Sequence, residues 1–237
     1  MVAVTDYGLI ARAVYDEEAG EDVAVARARL ASSGWVRAHF RDGLGTGLQA
    51  AVYTKGNVTI ASFKGTTPSQ GSDIVADVKL GIGMNTSYFS AAEAFCTQYA
   101  NVSNLVVTGH SLGGAIAQIV GNRRRIPFVT FNAPGVAIVA SRNLASATSI
   151  GSAVRVVGGA VSMLRHPMQA MRDMSSAFHS SLGVNFRLSG DVISQIGLHY
   201  GNIVSIQASG NPLDQHGMAM VNTRLAATGY GDVNFPS

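Results

Sequence analysis

The stretch Leu-Val-Val-Thr-Gly-His-Ser-Leu-Gly-Gly-Ala occupies residues 105–115 and decides how the rest of the chain is interpreted. Its first four residues are apolar or β-branched, as in a buried strand, and small residues and good helix formers follow Gly113. Ser111 therefore lies at a sharp turn between a strand and a helix, which is typical of a nucleophile elbow. In such an elbow the hydroxyl points out of the sheet, and the helix directs its first amides toward any oxyanion formed there. We predict that Ser111 is a catalytic nucleophile, because a plain glycine-rich turn would leave the flanking strand and helix unexplained.

The composition fits one folded domain over residues 1–237 and argues against a nucleic-acid partner. The 237 residues are 47% hydrophobic and 13% charged, which is enough apolar material for a sizeable core. The net charge of +3 is small and dispersed. Its densest basic run, Arg123-Arg124-Arg125, is typical of a helix end that the helix dipole stabilises. Nucleic acid is therefore not predicted as a partner, whereas transient contact with an anionic membrane surface stays open.

No targeting or membrane segment is recognisable in the sequence. The N-terminus lacks a basic region followed by an apolar core, and no window has the roughly 20 apolar residues of a membrane span. We expect cytoplasmic synthesis, with export by a signal-less route left open. The single cysteine, Cys96, excludes an internal disulfide and a cysteine metal cluster. It is expected to be a small buried helix residue, and no metal or organic cofactor is predicted.

Strands and helices alternate from residue 91 onward, which predicts a mostly parallel sheet with helices on both faces. An early hairpin, with strands at 48–54 and 57–63, would add antiparallel strands at one edge of the sheet. Together with the elbow, this pattern predicts an α/β fold with Ser111 at the carboxyl end of a central strand. Further strands are expected at 127–132, 184–188 and 202–206, and helices at 4–17, 73–80, 91–100 and about 213–225.

Residues 141–183 lie between two predicted strands and are too long for an ordinary connection. They hold four of the eight methionines, between residues 163 and 174, together with Arg165 and Arg172. We predict a helical insertion, with packing against the domain as the plainer interpretation. A lid or acyl-binding cap is the alternative, because methionine clusters make adaptable apolar contacts and cationic amphipathic helices suit interfaces.

The elbow serine needs a base, and the base needs an orienting carboxylate. In this fold the chain order is serine, acid, histidine, each on a loop at the carboxyl end of a strand. Of the six histidines, His216 alone follows the final predicted strand, so we predict that it is the base. His199, between the last two predicted strands, is the alternative, and the side chain of His110 is expected to point away from the serine.

The acid is expected at the carboxyl end of the penultimate strand, and Asp191 follows the strand 184–188. Asp173 lies in the insertion, and Asp214 is typical of a helix N-cap, so Asp191 is the predicted acid.

An oxyanion hole requires two hydrogen-bond donors. The backbone amide of Leu112, directly after the nucleophile, is the first predicted donor. The second is expected from an early loop, where Thr66 follows Gly65 at the end of a predicted strand and offers both its amide and its hydroxyl.

These segments together resemble the class 3 lipase family, the α/β-hydrolases that include fungal triacylglycerol lipases. The resemblance spans about residues 50–220 and implies that Ser111 is the nucleophile, Asp191 the acid and His216 the base, with Thr66 and Leu112 forming the oxyanion hole. Lys64 stands where the family usually has arginine, and Ile74 where an aromatic residue is common. The family's disulfides are absent, which fits a bacterial or intracellular relative. The segments that carry the resemblance are Ser62–Thr66 with Asp73 and Asp77, Thr108–Ala115, Phe131–Gly135, Ser189–Ile193 and His216.

The sequence thus predicts a serine hydrolase that cleaves carboxylic esters of lipids, as a lipase or a phospholipase A-type enzyme. A small soluble-ester esterase and an antibacterial lipase effector exported by a secretion machine are alternatives within the same chemistry. A non-catalytic module that binds lipid or a protein partner is the alternative from a different class.

Overall fold

A computed structural model describes residues 1–15, 21–43, 47–65, 86–136 and 182–235 of the chain. The strands in these ranges are β1 Val2–Ala3, β2 Val36–Arg41, β3 Ala50–Lys55, β4 Val58–Phe63, β5 Leu105–His110, β6 Phe128–Phe131, β7 Gly183–Leu188, β8 Asn202–Ile206 and β9 Asn234–Phe235. The helices are α1 Val4–Ala13, α2 Glu21–Ser32, α3 Thr86–Thr97, α4 Leu112–Arg124, α5 Pro212–His216 and α6 Met218–Thr228, followed by a 3₁₀ turn at Tyr230–Asp232.

Strands β2 to β8 form one sheet in chain order, while β1 and β9 pair beside it. Strands β2, β3 and β4 are antiparallel, and every neighbouring pair from β4 to β8 is parallel. Parallel neighbours require a crossover, and α4 supplies one between β5 and β6. The carboxyl ends of β4 to β8 therefore meet at one edge of the sheet.

Side chains alternate between the two faces of the sheet, and each face has its own helices. In β3, Ala51 and Tyr53 pack against α1, α2 and α6 on what we term the α1 face. Ala50 and Val52 pack against α3 and α4 on the opposite, α3 face. Removing these apolar side chains from water is the main favourable contribution to folding.

The predicted α/β-hydrolase architecture is confirmed, with a mostly parallel sheet, antiparallel strands on one side and helices on both faces. The predicted hairpin is β3 with β4, but it is not the edge of the sheet because β2 pairs with β3. Sequence analysis missed β2 although Val36, Ala38 and Phe40 alternate with polar residues. It also missed α2, whose buried side chains have helical spacing.

The predicted C-terminal helix at 213–225 is in fact two helices, α5 and α6. Gly217 lies between them in an extended conformation, with φ −66° and ψ 141°, and this interrupts the helix. His216 is therefore the last residue of a short helix and not an interior residue of a longer one.

Several predictions fall outside the described residues. They are the helix at 73–80 and the insertion at 141–183 apart from its last two residues. Gly183 already belongs to β7, so the insertion cannot extend to residue 183. The assignment of residues 1–237 to a single domain stays a prediction.

Candidate active site

The turn after β5 has the geometry of a nucleophile elbow. Ser111 has φ 56° and ψ −128°, a left-handed conformation that costs a non-glycine residue roughly 1–3 kcal/mol. The glycines on either side allow it, because a Cβ at Gly109 would overlap Gly113 and a Cβ at Gly113 would overlap the carbonyl oxygen of Phe63. Strand β5, helix α4 and the end of β4 therefore approach one another closely, with Ser111 at the apex.

Ser111, His216 and Asp191 are joined by hydrogen bonds at the carboxyl edge of the sheet. His216 Nε2 lies 2.9 Å from Ser111 Oγ, and His216 Nδ1 lies 2.9 Å from Asp191 Oδ1. All three side chains are buried. With Asp191 ionised, Nδ1–H donates to the carboxylate, which leaves Nε2 as the acceptor for the proton of the Ser111 hydroxyl. The structure thus brings the three residues predicted from sequence together, with His216 bound to both of the others.

Asp191 is held as a carboxylate although it is fully buried. Burial raises its pKa, but the hydrogen bond and charge of His216, together with hydrogen bonds from Ser194 and Ile193, outweigh burial and lower the pKa overall. Its Oδ1 accepts the amide of Ile193 and its Oδ2 the amide of Ser194, each at 3.1 Å. Asp191 is therefore available as an acceptor for the imidazole of His216.

The backbone carbonyl of His216 is bound by two side chains from the sheet. His110 Nε2 lies 2.6 Å from this oxygen and Asn132 Nδ2 lies 3.1 Å from it. A continuing helix would pair the same carbonyl with an amide four residues later. The break at Gly217 leaves the oxygen to these side chains, so the ends of β5 and β6 both hold the backbone of His216.

His110 packs its ring against the ring of His216. The ring centroids are 4.8 Å apart, and His110 Nδ1 lies 3.1 Å from Tyr15 Oη. Burial, followed by the charge on His216, lowers the pKa of His110 to about 3. No role for His110 follows from the sequence, because the elbow motif says nothing about contacts with residues a hundred positions away.

Gln215 and Asn132 brace the loop that carries Asp191, and sequence analysis missed both roles. Gln215 Oε1 accepts the amide of Gly190 at 3.0 Å, and a Cβ at Gly190 would overlap the Gln215 side chain. Asn132 Oδ1 accepts the amide of Leu188 at 2.9 Å. The Asp191 loop is therefore tied to β6 and to α5.

His199, the alternative base, lies elsewhere. Its Nε2 is 2.8 Å from the carbonyl oxygen of Ala133, whereas the nitrogen beside Ser111 belongs to His216. Burial lowers the pKa of His199, so it is a neutral, structural histidine at neutral pH. Asp214 is the third residue of α5, which begins at Pro212, so the prediction that it is the N-cap is wrong.

One of the two predicted oxyanion donors lies in the described part of the chain. Leu112 is the first residue of α4, and the first amides of a helix have no partner within it. Thr66 lies outside the described residues. Gly65 directly before it donates its amide to Tyr15 Oη at 3.1 Å, and a Cβ at Gly65 would lie 3.2 Å from Ser111 Cβ. The chain that leads to Thr66 thus runs close beside the elbow.

Cys96 is confirmed as a buried residue of α3, and burial raises its pKa to about 12. Within the described ranges, no three side chains of His, Cys, Asp or Glu are grouped as a metal ion would require. No helix in the described part of the chain is long and apolar enough to cross a bilayer.

An elbow serine at the carboxyl edge of a mostly parallel sheet, with helices on both faces, defines the chain as an α/β-hydrolase. A family model described as phospholipase-like, the Tle-like phospholipase domain, matches residues 6–226. The chain belongs to this family.

Individual proteins are also similar. A 42-residue segment, 18% of this chain, is 48% identical to the "Putative lipase ATG15" of Debaryomyces hansenii, and it spans only 7% of the length of that protein. The structure of a lipase from Rhizopus microsporus var. chinensis aligns with a TM-score of 0.43 and 14% identity, over 88% of this chain and 74% of the other. Lipase II from Rhizopus niveus aligns with a TM-score of 0.41 and 14% identity, over 81% of this chain and 73% of the other.

Proposed function

We propose that this protein hydrolyses carboxylic esters of lipids, with Ser111 as nucleophile, His216 as general base and acid, and Asp191 as the orienting carboxylate. One observation carries the proposal: the imidazole of His216 lies 2.9 Å from both Ser111 Oγ and Asp191 Oδ1. The same set of hydroxyl, imidazole and carboxylate performs acyl transfer on several unrelated folds. Membership of a phospholipase-like family supports a lipid ester as the substrate.

The reaction proceeds through an acyl-enzyme. His216 Nε2 takes the hydroxyl proton while Ser111 Oγ bonds to the ester carbonyl carbon, and the carbonyl oxygen becomes an oxyanion. The intermediate collapses, the bond to the alcohol breaks, and the alcohol leaves with the proton from His216. Water then gives a proton to His216, attacks the acyl carbon and releases the fatty acid, which restores the Ser111 hydroxyl. These steps require neither a metal nor an organic cofactor.

The oxyanion requires donors that are in position before the reaction begins. We assign this role to the amide of Leu112 and to the amide and hydroxyl of Thr66. Leu112 is the first residue of α4, so the positive end of the helix dipole also faces the oxyanion. Loss of one such donor typically costs about 3–4 kcal/mol of transition-state stabilisation.

Phospholipid is the substrate class we propose first, cleaved in the manner of a phospholipase A. The family description supports this class, and the net charge of +3 suits transient contact with an anionic lipid surface. Hydrolysis of triacylglycerol or of small soluble esters would involve the same three residues. These substrates differ from phospholipid only in the acyl and alcohol groups that would occupy the site. A non-catalytic lipid- or partner-binding module would not need the hydroxyl of Ser111.

The experiment compares the native chain with Ser111→Ala and with Ser32→Ala, an exposed serine on α2 that serves as the matched control. Fatty-acid release is measured from phosphatidylglycerol vesicles, from a triolein emulsion and from p-nitrophenyl butyrate. We expect release from the vesicles by the native chain and by Ser32→Ala, and a loss of roughly 10⁴-fold or more in Ser111→Ala. Turnover retained by Ser111→Ala contradicts the mechanism. Turnover of p-nitrophenyl butyrate alone favours the esterase, and absence of both turnover and fluorophosphonate labelling favours the binding module.

Three finer proposals rest on the sequence motifs. The motifs around Ser111 and Asp191 support a class 3 lipase, and the absence of that family's disulfides supports a bacterial source. Growth arrest when the native chain, but not Ser111→Ala, is produced in the periplasm is the result expected of an antibacterial effector, and normal growth contradicts that role.

A further inference from the structure

His110 is a buried titratable side chain for which the proposed reaction has no step. It is the last residue of β5, it lies on the α1 face of the sheet, and its ring contacts the ring of His216 at a centroid distance of 4.8 Å. Both ring nitrogens have partners: Nε2 lies 2.6 Å from the carbonyl oxygen of His216, and Nδ1 lies 3.1 Å from Tyr15 Oη. Both nitrogens of His110 are therefore hydrogen-bonded, and one of these bonds is to the candidate base.

The direction of these hydrogen bonds follows from the groups involved. A carbonyl oxygen only accepts, so Nε2 of His110 carries a proton and donates a hydrogen bond to the backbone carbonyl of His216. In the neutral ring Nδ1 is then an acceptor, so the Tyr15 hydroxyl donates to it. The same hydroxyl oxygen accepts the amide of Gly65 at 3.1 Å. One continuous set of donors therefore runs from Gly65 through Tyr15 and His110 to the backbone of His216.

Two cationic side chains lie close to the ring of Tyr15. The guanidinium of Arg12 lies 5.1 Å and the ammonium of Lys64 lies 5.7 Å from the centroid of its ring. Such cation–π contacts fix the ring on a segment that follows α1. Arg12 and Lys64, which take no part in the proposed reaction, therefore help to keep the Tyr15 hydroxyl beside Gly65 and His110.

We propose that Tyr15 and His110 form a positioning pair that fixes the backbone of His216 and couples it to Gly65, the residue before the proposed oxyanion donor Thr66. The proposal rests on the proposed function and deepens it. Asp191 orients the imidazole of His216, and His110 holds the carbonyl of the same residue, so the base is fixed at both its ring and its backbone. The pair acts through His216 and does not touch the substrate. Its effect can still be large, because misplacement of a reacting group by about 1 Å costs up to roughly 100-fold in rate.

His110 must also be uncharged to hold His216 without opposing its protonation. His216 becomes a cation when it accepts the proton of Ser111, and a second cation at 4.8 Å would oppose that step. Burial keeps His110 neutral, because its pKa is lowered to about 3. The hydrogen bond from Tyr15 to Nδ1 selects the tautomer that donates to His216.

The test uses His110→Phe, which keeps a ring but removes both hydrogen bonds, and His110→Gln, whose amide can replace both. The readouts are kcat and KM for p-nitrophenyl butyrate and the rate at which a fluorophosphonate labels Ser111. We expect His110→Phe to lower kcat and the labelling rate roughly 10- to 100-fold with KM within about threefold of the native value. We expect His110→Gln to recover most of this loss, which a merely structural role for the ring would not produce.

His199→Phe is the matched control. Both histidines are 7% exposed, and each binds one backbone carbonyl through Nε2, but His199 binds Ala133 and not His216. We expect His199→Phe to lower stability and leave the kcat of the folded protein nearly unchanged. An equal loss of kcat in His199→Phe, or native kcat in folded His110→Phe, overturns the proposal.

Tyr15→Phe removes a single oxygen and keeps the test decisive if His110→Phe does not fold. We expect a loss of roughly 10-fold in kcat from Tyr15→Phe, and no further loss when it is added to His110→Phe, because the two act as one unit. Native kcat in Tyr15→Phe, or fully additive losses, overturns the coupling. Full activity of Ser111→Ala would instead overturn the proposed function, so the two failures are distinguishable.

Discussion

The two faces of the sheet support the same edge in different ways. The α3 face is built mainly from packing, with Phe63 and Phe95 edge to face at 6.4 Å and glycine contacts that bring α4 onto the end of β4. The α1 face adds hydrogen bonds that extend into the site, from Tyr15 to His110 and from His110 to His216. The α3 face therefore fixes the position of Ser111, and the α1 face fixes the position of His216.

The largest expected effect is at Asp191, in the loop after β7 at the edge that both faces support. Asp191→Asn keeps the shape of the side chain but offers His216 an amide, so the imidazole loses the acceptor that sets its tautomer. We expect kcat to fall about 10⁴-fold, as loss of the orienting carboxylate does in other hydrolases with this arrangement. The measurement is turnover of p-nitrophenyl butyrate, with circular dichroism as the control for folding. Turnover within tenfold of the native chain would remove Asp191 from the mechanism.

The packing role of the α3 face predicts the next largest effect. Phe95 is fully buried in α3 against Phe63 and Tyr99, so Phe95→Ala is expected to lower the free energy of unfolding by about 3–5 kcal/mol. The kcat of the protein that remains folded should stay within about threefold of the native value. Urea denaturation and turnover at low temperature measure the two quantities. A specific loss of kcat without loss of stability would contradict the division between the faces.

The α1 face predicts a dependence of stability on pH. The pKa of His110 is lowered to about 3 by burial and then by the charge of His216, with Asp191 and Arg12 as the other charges acting on it. An unfolded histidine has a pKa near 6.5, so below that pH the unfolded chain binds a proton that the folded chain does not. Stability therefore falls as pH falls from about 6.5 toward 3, by about 1.4 kcal/mol per pH unit for this group.

His110→Gln lacks the titrating group and isolates its contribution. We expect the difference in unfolding free energy between the native chain and His110→Gln to shrink by about 1.4 kcal/mol per pH unit between about pH 6 and pH 4.5. Urea denaturation across this range measures it, and other groups cancel in the difference. His199→Gln should change the slope in the same direction, since burial lowers that pKa too. Parallel curves for the native chain and His110→Gln would contradict a neutral, buried His110.

The smallest effect is expected at Cys96. This thiol is buried on the α3 face, and burial raises its pKa to about 12, so it is almost entirely protonated and inaccessible. Iodoacetamide should label it only after unfolding, and Cys96→Ala should leave kcat unchanged. Rapid labelling of the folded protein, or loss of activity on labelling, would give the α3 face a chemical role.

Local patterns were sufficient to predict most of the sheet, and Ser111, Asp191 and His216 were chosen by their positions relative to its strands. Their contact follows because the carboxyl ends of parallel strands meet at one edge. The contacts of His110 and Asn132 with the carbonyl of His216, which the break at Gly217 leaves open, could not be predicted from local patterns. The bracing by Gln215 was missed for the same reason: these hydrogen bonds join residues that are distant in sequence.

The backbone of Ser111 has a consequence for how this protein tolerates change. Its φ of 56° and ψ of −128° lie in a region that glycine adopts without strain. Replacement of the serine by glycine would therefore relieve local strain and remove the nucleophile in the same step. A search for more heat-resistant forms of this protein that scored folding alone would favour inert variants at this position, so any such selection has to assay hydrolysis as well.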